Sequence, residues 1–256
     1  MLLEQAIQEY TKTNKSARQI AKEFGLSKDK VTNNLKKRGL LRPRKDNSYN
    51  INFFTKITTE EQAYWLGFIF ADGCVQGGGR NVLEIGLSIQ DYDHLVKFKN
   101  SLDFKGEVKT KTNKKHKSCR VSLYGETIIK DLIDKGATPR KSRTLKFPTK
   151  IPKELYRHFI RGYFDGDGSL YVYEKLNKLS VSILGTEDFL STLQEIFMQE
   201  LGLTKVKIYK HKNITEYKKS RKDAQKILDY LYQDCTIYLD RKFNKYAHLT
   251  QSLEKC

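Results

Sequence analysis

The stretch AYWLGFIFADGCV, Ala63 to Val75, decides the reading of this chain, because HFIRGYFDGDGSL, His158 to Leu170, repeats its plan 95 residues later. Each copy is an apolar run with an early glycine, Gly67 or Gly162, and each closes on an acid-glycine pair, Asp72-Gly73 or Asp167-Gly168, ahead of a strand-like segment. Glycine inside a helix costs about 1 kcal/mol relative to alanine, so Gly67 and Gly162 mark a seam where two backbones come very close. The natural partner of each helix is the other copy. Packed side by side on a pseudo-twofold axis, the two helices bring Asp72 and Asp167 together at their C-terminal ends. Helix dipoles and like charge both oppose ionisation there, and a divalent cation relieves the conflict. A lone Asp-Gly is a common turn signal, but two copies after glycine-containing apolar helices reverse those odds. DGDGS also lacks the later ligands and closing Glu of an EF-hand loop.

What surrounds each copy repeats as well. After Thr58 and Glu61, read as a capping box, the helix runs to Asp72. In VLEIGLSIQ, Leu83, Ile85, Leu87 and Ile89 fall on one side, and Glu84, Gly86, Ser88 and Gln90 on the other, the period of a half-buried antiparallel strand. A helix over 91–102, a hairpin in GEVKTKTNKKHKSCRVSLYG and a helix over 126–135 complete the first unit. From Pro152 the order begins again, with strands 169–174 and 179–184, a helix 187–201, a hairpin 205–218 and a helix 222–231. Two copies of about a hundred residues predict a pseudo-twofold pair rather than a solenoid.

The chain of 256 residues carries 48 Lys/Arg against 30 Asp/Glu, a formal charge of +18, which makes a polyanion the expected partner and nucleic acid the first choice. The charge is clustered. Residues 105–120 hold seven Lys/Arg and one acid, and residues 205–222 hold eight and one, so each repeat carries a basic ribbon of the kind a DNA major groove admits. No apolar run approaches membrane-spanning length and no signal peptide is apparent, so a soluble intracellular protein is expected, cytoplasmic or nucleoid-associated. Cys74, Cys119, Cys235 and Cys256 are isolated and are expected to be reduced thiols. The five histidines are scattered and are read as surface residues.

Ahead of the duplication, residues 1–45 hold 12 basic and 4 acidic side chains. Ser16 and Gln19 form a capping box, Gly25 breaks one helix, Ser27 caps the next and Gly39 ends it. The second helix is polar and basic, as in a helix-turn-helix, with Lys28, Lys30, Thr32, Asn33 and Lys36 read as DNA contacts. The expected boundaries are a helix-turn-helix domain over 1–41, a basic linker over 42–57 with Arg42 and Arg44 on the phosphate backbone, and repeats over 58–150 and 151–256.

The pair WLGFIFADG (Trp65 to Gly73) and IRGYFDGDG (Ile160 to Gly168) resembles the doubled motif of single-chain LAGLIDADG homing endonucleases, over about residues 58–250. The resemblance implies an α+β fold in which a pseudo-twofold αββαββα duplication carries saddle-shaped antiparallel sheets, here preceded by a small all-α domain. It further implies a monomeric, metal-dependent endonuclease of a mobile genetic element that makes a double-strand break in a long DNA target, with no obligate protein partner. Asp72 and Asp167 would bind Mg2+, or Mn2+ or Ca2+ in its place, with backbone near Gly73 and Gly168 as further ligands. Carboxylate oxygens suit hard Mg2+, which retains waters and phosphate oxygens in its shell. Phe70 stands where the first motif often has an acid and Asp165 retains one, a position usually structural. An active-site polar residue corresponds to Gln90, whose counterpart by the 95-residue offset is Gly185, so unequal half-sites are expected. A basic residue after each repeat maps onto Lys141 and Lys242, with Lys146 competing. Besides those already named, the DNA-facing set is Glu84, Ser88, Lys109, Lys111, Arg120, Ser122, Tyr171, Tyr173, Lys178, Ser180, Lys205, Lys207 and Tyr209.

The rival readings are a non-cleaving DNA-binding transcriptional regulator on the same scaffold and an RNA splicing maturase. Retention of both Asp72 and Asp167 favours cleavage, because a pure binder has no use for two anions beside DNA. A splicing-domain origin is not expected, as the chain begins with Met1 and lacks a His-Asn ending.

Overall fold

The computed structural model describes residues 1–42, 46–113, 116–173, 178–211 and 214–253. Arg44, and the side chains of Tyr173 and Lys178, fall outside the described residues. The chain divides into two compact units, Met1–Asp46 and Asn47–Cys256.

The first unit contains α1 (Leu2–Lys12), α2 (Ala17–Glu23) and α3 (Lys28–Lys37). They close on their own small core of Ala6, Ile7, Tyr10, Ile20, Ala21, Val31 and Leu35. The Ser16–Gln19 capping box is formed, and the Ser27 hydroxyl accepts from the Lys30 amide. Gly25 and Gly39 take the left-handed backbone, with φ of +64° and +65°, that stops each helix.

The second unit begins with chain that the sequence marks as linker, yet Phe53, Phe54 and Ile57 are buried in its core. Then come α4 (Glu60–Asp72), β1 (Gly73–Gln76), β2 (Val82–Ser88), a 3-10 turn (Ile89–Asp91), α5 (Tyr92–Ser101), β3 (Lys109–Asn113), β4 (His116–Tyr124) and α6 (Glu126–Asp134). The second pass runs α7 (Tyr156–Asp167), β5 (Gly168–Tyr173), β6 (Lys178–Gly185), α8 (Glu187–Leu201), β7 (Tyr209–His211), β8 (Ile214–Ser220) and α9 (Lys222–Tyr232). A last helix, α10 (Asp240–Leu253), was not expected from the sequence pattern. Two antiparallel sheets result, ordered β1-β2-β4-β3 and β5-β6-β8-β7, the expected αββαββα duplication.

Three readings are corrected. The box that starts α4 is Thr59–Gln62, one residue later than Thr58–Glu61, because Gln62 Oε1 takes the amides of both Thr58 and Thr59 while Thr59 Oγ1 accepts from Gln62 N. His94 is a core residue, not a surface one. It shares the apolar face of α5 with Leu95 and Phe98, packs between Trp65 and Phe68, and bonds the Tyr64 hydroxyl at 3.2 Å. Third, the 95-residue offset does not hold in the strands. Gly73 pairs with Ile85 but Gly168 pairs with Ile183, so the second turn is three residues longer. The 3-10 turn of the first repeat restores the count before the next helix. Gly185 therefore corresponds to Leu87, and Gln90 sits on a turn that the second repeat does not have.

The glycine seam is a backbone-to-backbone contact. A Cβ on Gly67 would stand 1.9 Å from the Phe159 carbonyl oxygen, and one on Gly162 would stand 1.9 Å from that of Tyr64. No side chain fits at either place, and this is what allows α4 and α7 to run together down to their aspartates.

Candidate active site and nucleic-acid interface

The last turns of α4 and α7 meet. A Cβ on Gly166 would lie 2.3 Å from that of Ala71 and 3.2 Å from Asp72 Oδ2, so the Asp72 carboxylate rests against the other helix. Burial, and then the negative charge of Asp167, push the Asp72 carboxyl up to about 6. Burial also raises Asp167, against the opposing pull of Lys141 and Lys242. Asp72, which keeps an exposed side, and the half-buried Asp167 thus share one end of the seam, where the helix dipoles do nothing to stabilise them.

A buried lysine backs each helix end. Lys141, on a 3-10 turn (Lys141–Arg143), donates Nζ to the carbonyls of Gly73 and Ala71, the latter at 3.3 Å. Lys242, in the first turn of α10, donates to Phe164 O, to Asp165 O at 2.8 Å and to Gly168 O at 2.6 Å. These ammonium groups satisfy carbonyls left open at the helix ends. Burial lowers both lysines, Lys242 to about 8. The geometry separates Lys141 from its competitor: Lys146 is exposed and pairs with Asp188 at 3.6 Å. The Gly73 and Gly168 carbonyls, expected as further metal ligands, each accept from one of these ammonium groups, and the charged donors at the site are the two carboxylates.

That set fits Mg2+. No group of three or more His, Cys, Asp or Glu side chains able to hold a metal occurs among the described residues. A hard cation held by one or two carboxylates, with water and phosphate oxygens filling its shell, needs no such group. The mutual repulsion of Asp72 and Asp167 is what its charge would relieve.

The sequence reading missed a second layer. Asp91, nearly buried on the 3-10 turn, holds Arg241 Nε at 3.0 and 3.2 Å through its two oxygens, and the Arg241 charge reaches Asp72. Lys97 bonds Asp240 Oδ1 at 2.6 Å and Tyr238 O at 3.1 Å. The first repeat thereby anchors the segment that delivers Lys242. The matched dipeptides Arg140-Lys141 and Arg241-Lys242 were the available signal. Gln90 is exposed and makes no side-chain hydrogen bond among the described residues.

The outer faces of the sheets carry most of the expected contact residues. In the first, the cross-strand rows are Cys74–Glu84–Ser122, then Gly86–Arg120–Lys109, then Ser88–Ser118–Lys111. Ser88, Lys109, Lys111 and Arg120 are exposed, while Glu84 is half-buried and accepts from Ser122 Oγ at 3.2 Å. In the second, Tyr171, Lys205, Lys207 and Tyr209 are exposed. Ser180 is not; its hydroxyl donates to Lys219 O at 3.2 Å. In the first unit Lys28, Lys30, Asn33 and Lys36 are exposed and Thr32 is half-buried. Arg42 is exposed but folded back on its own unit: Nη2 donates to the carbonyls of Tyr10, Thr13 and Lys15 at 2.8 to 2.9 Å, and the guanidinium lies 4.0 Å above the Tyr10 ring.

No protein-family model matches the chain. Over an alignment of 172 residues that covers 64% of the chain, it is 32% identical to a probable translation initiation factor IF-2 of Methanocaldococcus jannaschii, spanning 13% of that relative's length. Among solved structures, the chain is similar to the homing endonuclease I-WcaI bound to its DNA recognition sequence, with 14% identity, 75% of this chain and 90% of the other covered, and a TM-score of 0.57. It is similar also to the LAGLIDADG homing endonuclease I-GzeII in complex with DNA target, again 14% identical over 75% and 90% of the two chains, with a TM-score of 0.50. The fold is therefore that of the LAGLIDADG homing endonucleases. More particularly it is the single-chain form, with both αββαββα repeats and both aspartates in one polypeptide. No helix among the described residues is long and apolar enough to cross a membrane.

Proposed function

We propose that the protein is a site-specific DNA endonuclease that makes a double-strand break in a long duplex target, using divalent metal. The observation that carries this is the meeting of Asp72 and Asp167 at the end of a seam between two sheets with basic outer faces, where burial raises both carboxyls and the charge of Asp167 raises Asp72 further. Both anions oppose a polyanion unless a cation stands between. Both structural neighbours are DNA-bound homing endonucleases, and that role is carried to this chain as part of the proposal.

In this reading Asp72 and Asp167 hold Mg2+, with Mn2+ or Ca2+ as substitutes. When bound, the metal would supply positive charge to the phosphate under attack and acidify an adjacent water. The remaining work is the protein's own. Gly67 and Gly162 bring the carboxylates together; Lys141 and Lys242 fix the helix ends and place fixed positive charge beside the phosphates; Arg241, steered by Asp91, adds a further cation near Asp72. Gln90 is assigned to the phosphate of the first half-site. Lys109, Lys111, Arg120, Lys205 and Lys207 bind the duplex over its length, mostly through phosphates. The first unit is assigned to additional DNA contact as a helix-turn-helix, through Lys28, Lys30, Asn33 and Lys36, and the protein to an intracellular compartment.

The test starts from a pool of randomised duplex DNA. Rounds of binding in Ca2+ should enrich one long motif, and exchange into Mg2+ should cut that duplex on both strands, while EDTA abolishes cutting. A motif bound tightly in Ca2+ and left intact in Mg2+ and Mn2+ would replace the nuclease with a non-cleaving DNA-binding protein.

A further inference from the structure

Among the described residues, the strands contain two acidic residues, Glu84 in the first sheet and Glu216 in the second. Both point to the outer faces, amid the basic residues. The rows show that they are not equivalent. The row of Gly86, Arg120 and Lys109 lies one step beyond the row begun by Cys74, and the row of Leu184, Glu216 and Tyr209 lies one step beyond that begun by Ser169. Cys74 and Ser169 each follow the glycine that closes a motif. Arg120 and Glu216 thus occupy matching places in the two repeats, one cationic and the other anionic.

A carboxylate on a DNA-facing surface meets acceptors almost everywhere: phosphate oxygens, guanine O6 and N7, thymine O4 and adenine N7. The donors of the major groove are the exocyclic amino groups, foremost cytosine N4. The Glu216 side chain is already aimed, because Ser182 Oγ donates to Glu216 Oε1 across the strand pair. Its neighbours in the row are apolar or phenolic, with Leu184 37% and Tyr209 58% exposed, so no lysine of that row neutralises it. Arg120 has the opposite requirement, and guanidinium pairs with guanine O6 and N7. Glu84 of the neighbouring row lies 3.4 Å from Arg120 Nη1.

We infer that Arg120 and Glu216 read opposite bases at symmetry-related positions of the target, guanine under Arg120 and cytosine under Glu216, so that the recognised site departs from a palindrome at that position. This rests on the reading of the protein as a DNA-site binder. It makes the second repeat convertible: Glu216→Arg would present the same charge at that place as the first.

The experiment is binding selection from randomised duplex DNA in Ca2+, with sequencing of bound pools, for the full-length protein and for Glu216→Gln, Glu216→Arg and Arg120→Gln. Thermal melting confirms that each variant folds. The unaltered protein should enrich cytosine at one position of one half-site and guanine at its symmetry mate, each by about tenfold or more over the other bases. Glu216→Gln should reduce the cytosine preference, Glu216→Arg should turn it to guanine, and Arg120→Gln should flatten only the mate. A clear motif for the unaltered protein, unchanged at both positions by folded variants, overturns the inference and leaves the DNA-binding reading intact. The absence of any enriched motif overturns both.

Discussion

The two helix ends that meet at the seam have the same backbone and different supports. In the first repeat, the residue two before the motif aspartate is Phe70, an apolar core side chain in edge contact with Phe159. In the second it is Asp165, fully buried, accepting from the Tyr64 hydroxyl at 2.7 Å, the Leu239 amide at 2.8 Å and the Tyr232 hydroxyl. Lys141 takes two carbonyls and Lys242 takes three. Arg241 is clamped by Asp91, on a turn the second repeat lacks, while its counterpart Arg140 is exposed. What is kept in both halves is what closes the seam and places the carboxylates. What differs is how the polar groups around them are held.

The seam should be the most sensitive feature. Gly162→Ala drives a Cβ into the Tyr64 carbonyl, and no rotamer relieves a clash with backbone, so a loss of about 3 kcal/mol or more is expected by urea unfolding. Gly67→Ala should do the same; a small loss in either would mean that the helices part more easily than the geometry implies.

The supports should break unequally. Asp165→Ala leaves two buried hydroxyls and an amide without their acceptor and should cost about 2–4 kcal/mol. Phe70→Ala leaves a cavity of similar cost by a different route. They part on pH: burial raises the Asp165 carboxyl, so its contribution is fully present below about pH 4 and declines as pH rises above that, a dependence that Asp165→Asn removes and a Phe70 variant keeps.

A smaller effect of opposite sign is expected at Asp72. Its carboxyl is raised to about 6 in the fold, so without metal its contribution is most favourable below about pH 4, where the group is protonated folded and unfolded, and is lost as pH rises through about 6. Asp72→Asn should therefore stabilise the metal-free protein at pH 8, by about 1 kcal/mol once solvent screening of this exposed side chain is allowed for, read as a higher melting temperature. Mg2+ should narrow the difference. A variant that melts lower in EDTA at pH 8 would show that the carboxylate is not in electrostatic conflict.

Much of this was legible in the sequence because it rests on local pattern and on repetition. The doubled glycine and aspartate, the period-two strands and the αββαββα order are properties of short segments. What was not legible depends on the register of distant strands. Two three-residue differences, one in the β5–β6 turn and one in the 3-10 turn, cancel in the count between repeats, so a constant offset hid the mismatch of Gln90 with Gly185. His94 was misread because its type is usually exposed, although its place on the α5 face is apolar. Arg42 carries the expected charge, but carbonyls of α1 and the turn after it, far away in sequence, claim its guanidinium. Helix α10 is secured by packing of Phe243 and Tyr246 on Tyr232 of α9, a contact between elements that local pattern does not reveal.

The central claim is that Asp72 and Asp167 serve metal-dependent strand scission rather than folding or DNA affinity. The most direct measurement is single-turnover cutting in Mg2+ of the duplex selected by the unaltered protein, followed on each strand, for that protein and for Asp72→Asn and Asp167→Asn. The account predicts that each substitution lowers cutting by at least about a hundredfold, with binding in Ca2+ changed by less than about tenfold. Cutting that survives both substitutions, or binding that disappears along with it, would contradict the account.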